Sequence, residues 1–221
     1  MNLAKRFSLT ASVSTVVLML SIPAHAETSG QKIYTQGGAS PAAMACAACH
    51  GANGMGTASA GFPRLAGLPA GYMAKQIEDF RSGQRANGVM QPIAIALGDA
   101  EVDAVATYMA GMSPGAASTA LDPTGPVTNA AEKLVKQGDW SRNIPACVAC
   151  HGEGKTGVGS SFPPLMGQSG VYLAAQLDAW RSGTRKNDPN DLMGHVARSL
   201  TDTEVKAIST YFDSLNGEAS Q

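Results

Sequence analysis

A five-residue pattern, C-x-x-C-H, occurs twice in this chain of 221 residues and constrains its fold more than any other feature. The two copies account for all four cysteines and for two of the four histidines. In this pattern both thiols can form thioether bonds to the vinyl groups of a porphyrin, and the adjacent histidine can bind the iron. The sequence therefore predicts two covalently attached c-type haems. The attachment residues are Cys46, Cys49 and His50 in the first copy and Cys147, Cys150 and His151 in the second.

Paired cysteines have other uses in proteins, and these stay open as alternatives. A C-x-x-C pair can act as a redox dithiol or supply half of a zinc site. Four cysteines in a secreted chain can also form two disulfides, in any of three pairings. None of these uses needs a histidine directly after the second cysteine in both copies, so haem attachment is the favoured interpretation.

The first 26 residues are typical of a secretory signal peptide. Lys5 and Arg6 supply the positive region, an apolar stretch follows, and Ala24-His25-Ala26 is a small-x-small cleavage site. We therefore expect a signal peptide over residues 1–26 and a mature chain in the periplasm, because bacteria attach c-type haem outside the cytoplasmic membrane. An uncleaved anchor is the alternative, although the apolar stretch is short for a spanning helix.

The charge of the chain bears on its partners. Beyond residue 26 there are 14 basic and 17 acidic side chains and no basic patch, so we expect no nucleic-acid partner. Residues 27–112 and residues 129–221 each have a formal charge of −1, which argues against strong electrostatic steering by one end. Docking to redox partners is instead expected through an apolar patch around an exposed haem edge.

Internal repetition divides the mature chain into two similar units. The two haem patterns lie 101 residues apart, and further segments recur around them in the same order. The stretch between the units is rich in Pro, Gly, Ser and Thr, as is typical of a linker. We predict a first domain over residues 27–112, a linker over 113–128 and a second domain over 129–221. The recurring segments are Phe62–Gly67 with Phe162–Gly167, Tyr72–Gln76 with Tyr172–Gln176, and Phe80–Gly83 with Trp180–Gly183.

Hydrophobic spacing predicts an all-α fold of two tandem domains, each wrapped around its haem. Residues 70–82 present one apolar helix face before Gly83, and the second unit repeats this pattern before Gly183. Thr201 and Glu204 form a capping box that opens the last helix. Only 5% of the residues are aromatic, which is few for small domains, so we expect the porphyrin to supply apolar bulk. The apolar face consists of Met73, Ile77 and Phe80, and of Leu173, Leu177 and Trp180.

The sixth iron ligand decides between electron transfer and ligand activation, because a six-coordinate His/Met haem transfers electrons and a five-coordinate one binds small molecules. Met90 and Met193 follow their histidines by 40 and 42 residues and recur in both units, unlike the other methionines. We predict that both are axial ligands, each in a loop just before the final helix of its domain. The alternative is that either methionine only packs in the core.

His195 lies two positions beyond Met193 and is the only histidine after residue 26 outside the haem patterns. It could replace Met193 and give bis-histidine ligation, which would lower the potential of the second haem. Its repeat partner is Pro92, so the duplication does not require this role. A solvated or hydrogen-bonded side chain is the favoured interpretation.

Further residues are candidates for contacts around the haem. An iron-bound histidine normally donates its other ring N–H to an acceptor that fixes the ring. Pro63 and Pro163 follow the histidines by 13 and 12 residues and can supply such a carbonyl; a simple turn is the alternative. Four recurring arginines can pair with haem propionates or lie at solvated helix ends, and both uses stay open. They are Arg81, Arg85, Arg181 and Arg185.

As a set, the two C-x-x-C-H patterns, the F-P-x-L-x-G segments, the R-S-G turns and the paired methionines resemble bacterial di-haem cytochrome c4. The resemblance covers nearly the whole mature chain. It implies two class I cytochrome c domains about a pseudo-two-fold axis, with haems close enough to exchange electrons. It also implies a periplasmic electron shuttle to terminal oxidases, often loosely associated with the membrane surface. The axial ligands that it implies are His50, Met90, His151 and Met193.

Three classes of function are consistent with these features. The main prediction is a one-electron carrier without catalytic residues, reduced by a quinol-oxidising cytochrome complex or a dehydrogenase and oxidised by a terminal oxidase. The alternative is an electron-accepting cytochrome subunit of a periplasmic dehydrogenase complex, which would have the same ligand set. The third class is a di-haem peroxidase, which needs an open haem and for which no orphaned haem is visible.

Overall fold

The structure is a computed structural model, which describes residues 29–115, 121–155, 157–188 and 190–216. These residues form ten α-helices, five in each half, and isolated bridges rather than named strands. The predicted signal peptide and residues 116–120 of the predicted linker lie outside the described residues. The first half contains α1 (Ser29–Gln36), α2 (Ala47–His50), α3 (Ala70–Arg81), α4 (Met90–Ala96) and α5 (Asp99–Ala110). The second contains α6 (Ala130–Lys136), α7 (Cys147–His151), α8 (Gly170–Ser182), α9 (Leu192–Ser199) and α10 (Asp202–Asn216).

Each half has its own hydrophobic core, and the two cores share no residue. In the first half, α1 packs on α5, and α3 packs on α4 and α5. In the second half, α6 packs on α10, and α8 packs on α9 and α10. The prediction of two tandem all-α domains is therefore confirmed.

The helix bounds follow local sequence signals closely. The predicted helix over 70–82 is α3, and its predicted inward residues Met73, Ile77 and Phe80 are all buried. The predicted capping box at α10 is formed in both directions: Thr201 N donates to Glu204 Oε2 at 2.8 Å, and Glu204 N donates to Thr201 Oγ1 at 3.2 Å. Such reciprocal bonds satisfy amides that the first helical turn leaves without partners.

One local prediction was wrong. Met90 and Met193 were expected in loops before the final helices, but each lies in the first turn of an additional short helix, α4 and α9. These helices have 7 and 8 residues, lengths at which an isolated helix is marginal in water. Packing stabilises them here, because Ala94 of α4 and Ala197 of α9 are completely buried.

The two domains contact each other through α3, α8 and the loops that follow these helices. Ala86 N donates to Thr184 O at 2.7 Å and Lys186 N donates to Gln84 O at 2.8 Å, forming a short antiparallel bridge between the domains. Within the described ranges, no helix is both long and apolar enough to cross a membrane.

Candidate haem sites

A cavity of about 910 Å³ extends through both domains and touches both C-x-x-C-H patterns. Its walls are mainly apolar. The cavity is lined by His50 and Met90 from the first domain and by His151 and Met193 from the second. The structure thus brings all four predicted axial ligands to one continuous space.

The two histidines are oriented by the carbonyls of the predicted prolines. His50 Nδ1 lies 2.9 Å from Pro63 O, and His151 Nδ1 lies 2.7 Å from Pro163 O. Because a carbonyl can only accept, Nδ1 carries the proton and Nε2 is left with a lone pair for a metal. Burial lowers the pKa of both histidines, and the proline carbonyls only partly oppose it. Each ring is therefore neutral, as iron binding requires.

The four cysteines are unpaired and partly buried, and all of them line the cavity. They lie at or beside α2 and α7, so the two thiols of each pair are separated by about one helical turn. Burial raises the pKa of Cys46 and of Cys147 to about 11. Among the described residues, no group of three or more His, Cys, Asp and Glu side chains is placed to hold a metal ion. The zinc and disulfide alternatives therefore gain no support.

The short helices α4 and α9 bring the two predicted methionine ligands to the cavity. Met90 and Met193 are partly buried, and each packs against the core of its own domain as well as lining the cavity. His195 is exposed and lies one helical turn from the start of α9, at the margin of the cavity.

A buried arginine from each domain lies on the cavity at the domain interface. Arg85 donates to Tyr172 Oη and to Gln176 Oε1 of the other domain, both at 2.7 Å. Arg185 of the second domain likewise donates to residues of the first domain. Its acceptors are Gln76 Oε1 at 3.0 Å and Tyr72 Oη at 3.4 Å.

These two guanidinium groups are buried without a directly bonded carboxylate in the described part of the chain. They are 7% and 5% exposed, and Arg85 stacks on Phe80 while Arg185 stacks on Trp180. Two positive charges in such a place need anions, because burying an unpaired charge is costly. Haem propionates are carboxylates that would provide this negative charge, so the residues present fit two haems.

A second unsatisfied group lies on the same cavity. Trp180 Nε1 is buried and has no hydrogen-bond partner among the residues that the structure describes. Buried indole N–H groups usually find an acceptor, and a propionate oxygen would be a suitable one. The first domain has Phe80 at the corresponding position, so this donor is specific to the second site.

The four candidate arginines therefore have two different roles. Arg81 forms ion pairs with Glu78 at 2.7 Å and Asp99 at 2.9 Å on the surface of the first domain. Arg181 pairs in the same way on the second domain, with Asp178 and Asp202. Of these four, Arg85 and Arg185 line the cavity, where they could pair with propionates.

The interface also has an asymmetric contact. Arg64 N donates to Gln168 Oε1 at 3.1 Å, and Gln168 Nε2 donates to Arg64 O at 2.7 Å. The Arg64 guanidinium is buried, donates to Met166 O at 3.0 Å, and has its pKa lowered to about 10 by desolvation. Because Arg64 directly follows Pro63, this contact ties the loop that orients His50 to the second domain.

Sequence reasoning missed the polar partners of the interface. Tyr72, Gln76 and their counterparts were noted only as residues that recur in both units, and Trp180 only as part of an apolar helix face. The signal that could have identified them is that a tyrosine and a glutamine recur at matched positions on a helix whose other inward residues are apolar.

Comparisons with known proteins agree with this geometry. The Cytochrome c family matches residues 28–113 and 134–216. A thiosulfate dehydrogenase electron acceptor from Stutzerimonas stutzeri (strain A1501) is 60% identical, over 88% of this chain and 89% of the relative. A protein of the same description from Thiomonas intermedia (strain K12) is 46% identical, over 78% and 79%. A cytochrome c4 from Thiocapsa roseopersicina is 38% identical, over 82% and 92%.

Two solved structures are similar over most of this chain. Reduced recombinant cytochrome c4 from Pseudomonas stutzeri superposes with a TM-score of 0.65 and 32% identity, over 76% of this chain and 91% of that one. A thiosulfate dehydrogenase from Marichromatium purpuratum gives a TM-score of 0.73 and 43% identity. The match covers 83% of this chain but only 39% of that protein, so it concerns a part of the longer chain.

Fold and site together define a c-type cytochrome with two covalently bound haems, one in each helical domain. Such a protein carries electrons, because c-type haem cycles between ferric and ferrous iron. The chain belongs to the di-haem cytochrome c4 family.

Proposed function

We propose that this cytochrome accepts electrons from a thiosulfate-oxidising dehydrogenase in the periplasm and passes them to a later member of a respiratory chain. The observation that carries the proposal is the continuous cavity that joins both haem-attachment patterns across the domain interface. The two relatives described as thiosulfate dehydrogenase electron acceptors support the dehydrogenase as donor. The alternative function predicted from the sequence, an electron acceptor for a dehydrogenase, is thus better supported than a general shuttle to a terminal oxidase.

The chain's own side chains have defined tasks in this proposal. His50 and Met90 would bind the first iron, and His151 and Met193 the second. Pro63 O and Pro163 O hold the histidine rings through Nδ1, which leaves Nε2 available for the metal. With protein ligands on both sides, neither iron would offer a site for a substrate, so the proposed role is electron transfer rather than catalysis.

Electron exchange between the haems depends on the interface. The interdomain hydrogen bonds of Arg85 and Arg185 hold the two domains against one shared cavity. Each arginine would also neutralise a propionate, which would favour the ferrous state because reduction removes one positive charge from the iron. Two haems held against one cavity would be close enough to exchange electrons within the protein.

The first domain offers the surface suited to the dehydrogenase. Residues 37–63 and 86–98 contain no Asp, Glu, Lys or Arg. Met44 and Val89 lie in these segments, line the cavity, and are 56% and 54% exposed. The corresponding surface of the second domain carries charged residues, including Asp139 and Arg142. We therefore place electron entry at the uncharged edge of the first haem, and the later acceptor, for which a terminal oxidase is the candidate, at the second.

Rapid mixing tests the donor. The oxidised cytochrome is mixed with thiosulfate and catalytic amounts of the thiosulfate dehydrogenase from the same bacterium, and the ferrous absorption is followed. Both haems are expected to become reduced, at a rate that changes little with salt because the docking surface is uncharged. Val89→Glu is expected to slow the reaction several-fold, while Val171→Glu, at an exposed site that does not line the cavity, is expected to leave it unchanged.

The controls separate the possible failures. Thiosulfate without the dehydrogenase must leave the cytochrome ferric. If the dehydrogenase reduces an unrelated ferric cytochrome c but not this protein, the proposed donor is wrong. If it reduces this protein with a steep dependence on salt, the donor is right but the proposed entry surface is wrong.

A further inference from the structure

The backbone N–H groups of the two candidate methionine ligands donate to different kinds of side-chain acceptor. In the first domain, Asn87 Oδ1 accepts from Val89 N at 3.0 Å and from Met90 N at 2.9 Å. In the second domain, the Asp188 carboxylate accepts from Met193 N. Both acceptors therefore fix the backbone of a methionine at the start of a short helix, but one is neutral and the other is an anion.

The difference comes from a change in loop length after the duplication. Met90 lies 5 residues after Arg85, whereas Met193 lies 8 residues after Arg185. Asn187, the positional match of Asn87, is used in the interface, where it donates to Gln76 Oε1 at 2.9 Å and to Asp79 Oδ2 at 2.7 Å. The longer loop brings the next residue, Asp188, to Met193.

We propose that Asn87 and Asp188 are positioning residues for the axial methionines, and that Asp188 lowers the reduction potential of the second haem. The proposal rests on the ligand assignment made above. A fixed negative charge beside an axial ligand would stabilise the ferric state, which has one more positive charge than the ferrous state. An amide in the same place provides the hydrogen bond without the charge.

Other charges near the two methionine loops are paired or solvated. Asp79, which has Ala179 as its counterpart, is paired with Lys75, and Asp191, directly before α9, is paired with Arg198. Lys186, which has Ala86 as its counterpart, is exposed, whereas Asp188 is partly buried. Because solvent screens exposed charges more strongly than partly buried ones, the Asp188 carboxylate is the charge expected to distinguish the second methionine loop from the first.

Two reciprocal substitutions separate charge from positioning. Asp188→Asn keeps an acceptor but removes the charge, and it is expected to shift the ferrous/ferric equilibrium of one haem about tenfold towards ferrous, which corresponds to about 59 mV. Asn87→Asp is expected to shift the other haem about as far towards ferric. In a spectroelectrochemical titration, each variant should move a different one of the two reduction steps.

Alanine substitutions test the positioning role. Asp188→Ala and Asn87→Ala remove the acceptor, so they are expected to weaken the methionine-to-iron charge-transfer band of the ferric protein at one haem each. Asp188→Asn should leave that band intact. If Asp188→Asn leaves both reduction steps unchanged, the electrostatic role is wrong. If Asp188→Ala keeps the full band, the positioning role is wrong.

These results are distinguishable from a failure of the ligand assignment. If Met193→Ala itself leaves the charge-transfer band unchanged, Met193 is not a ligand and the proposed coordination fails first. If Met193→Ala abolishes the band of one haem while no Asp188 variant changes the band or either reduction step, only the proposed role of Asp188 is overturned.

Discussion

Met90→Ala and Met193→Ala are each expected to leave one of the two irons without its sixth ligand while the other iron stays six-coordinate. In either variant the ferric charge-transfer band should fall by about half, and the ferrous protein should bind carbon monoxide at one haem per chain. The physical reason is that a thioether fills the sixth position and alanine leaves it vacant. The variant haem should also have a lower reduction potential, because a methionine ligand favours ferrous iron. Optical titration with carbon monoxide measures the fraction of open haem directly.

Met73→Ala is the matched control. Met73 also lines the cavity, but it is buried in the core, and its counterpart in the second domain is Leu173. Its truncation is expected to reduce the free energy of unfolding by about 2–5 kcal/mol without opening either iron. If Met90→Ala binds no carbon monoxide, or if Met73→Ala binds as much of it, the assignment of Met90 as a ligand is contradicted.

The mature chain without haem is expected not to fold into the described structure. A cavity left in a core costs about 24 cal/mol per Å³ in substitution series. The space of about 910 Å³ in this structure is much larger than a cavity left by one substitution and is partly open to solvent, so the haem-free chain would lose much of its packing. The whole stability of a typical domain is only about 5–15 kcal/mol. Filling the space with water instead would hydrate apolar walls such as Leu68 and Leu173 and remove the burial that stabilises the domains.

The comparison can be made on one unchanged sequence. The mature chain is produced in cells that attach c-type haem and, separately, in a compartment where attachment does not occur. The haem-containing protein should show helical circular dichroism and a cooperative thermal transition. The haem-free chain should show little helix, no cooperative transition and rapid proteolysis. A haem-free chain that keeps native helix content and unfolds cooperatively would contradict the view that the porphyrin completes both cores.

Features that depend on the spacing of nearby residues could be predicted from the sequence. The attachment patterns, the apolar face of α3 and the capping box at Thr201 each involve residues within one or two turns of helix, where the position of one side chain determines that of the next. The duplication then extended each local prediction to a second domain. For this reason the fold class could be predicted without coordinates, and the four predicted axial ligands all line the cavity.

The interface could not be predicted in the same way. The bonds of Arg85 to Tyr172 and Gln176 join residues 87 and 91 positions apart, and no periodicity encodes such contacts. The helical start at Met90 was missed because α4 is too short to be predicted from propensity. The exchange of Asn87 for Asp188 was hidden by three additional residues in the second loop.

We propose that protein side chains fill the axial positions of both irons, so that the protein carries electrons and binds no small ligand. An optical spectrum of the full ferrous protein, recorded before and after equilibration with carbon monoxide at neutral pH, tests this ligation. Identical spectra are expected if Met90 and Met193 are both ligands. A shift of the absorption bands at either haem would show an open or weakly ligated iron and would contradict the assignment of that domain's methionine.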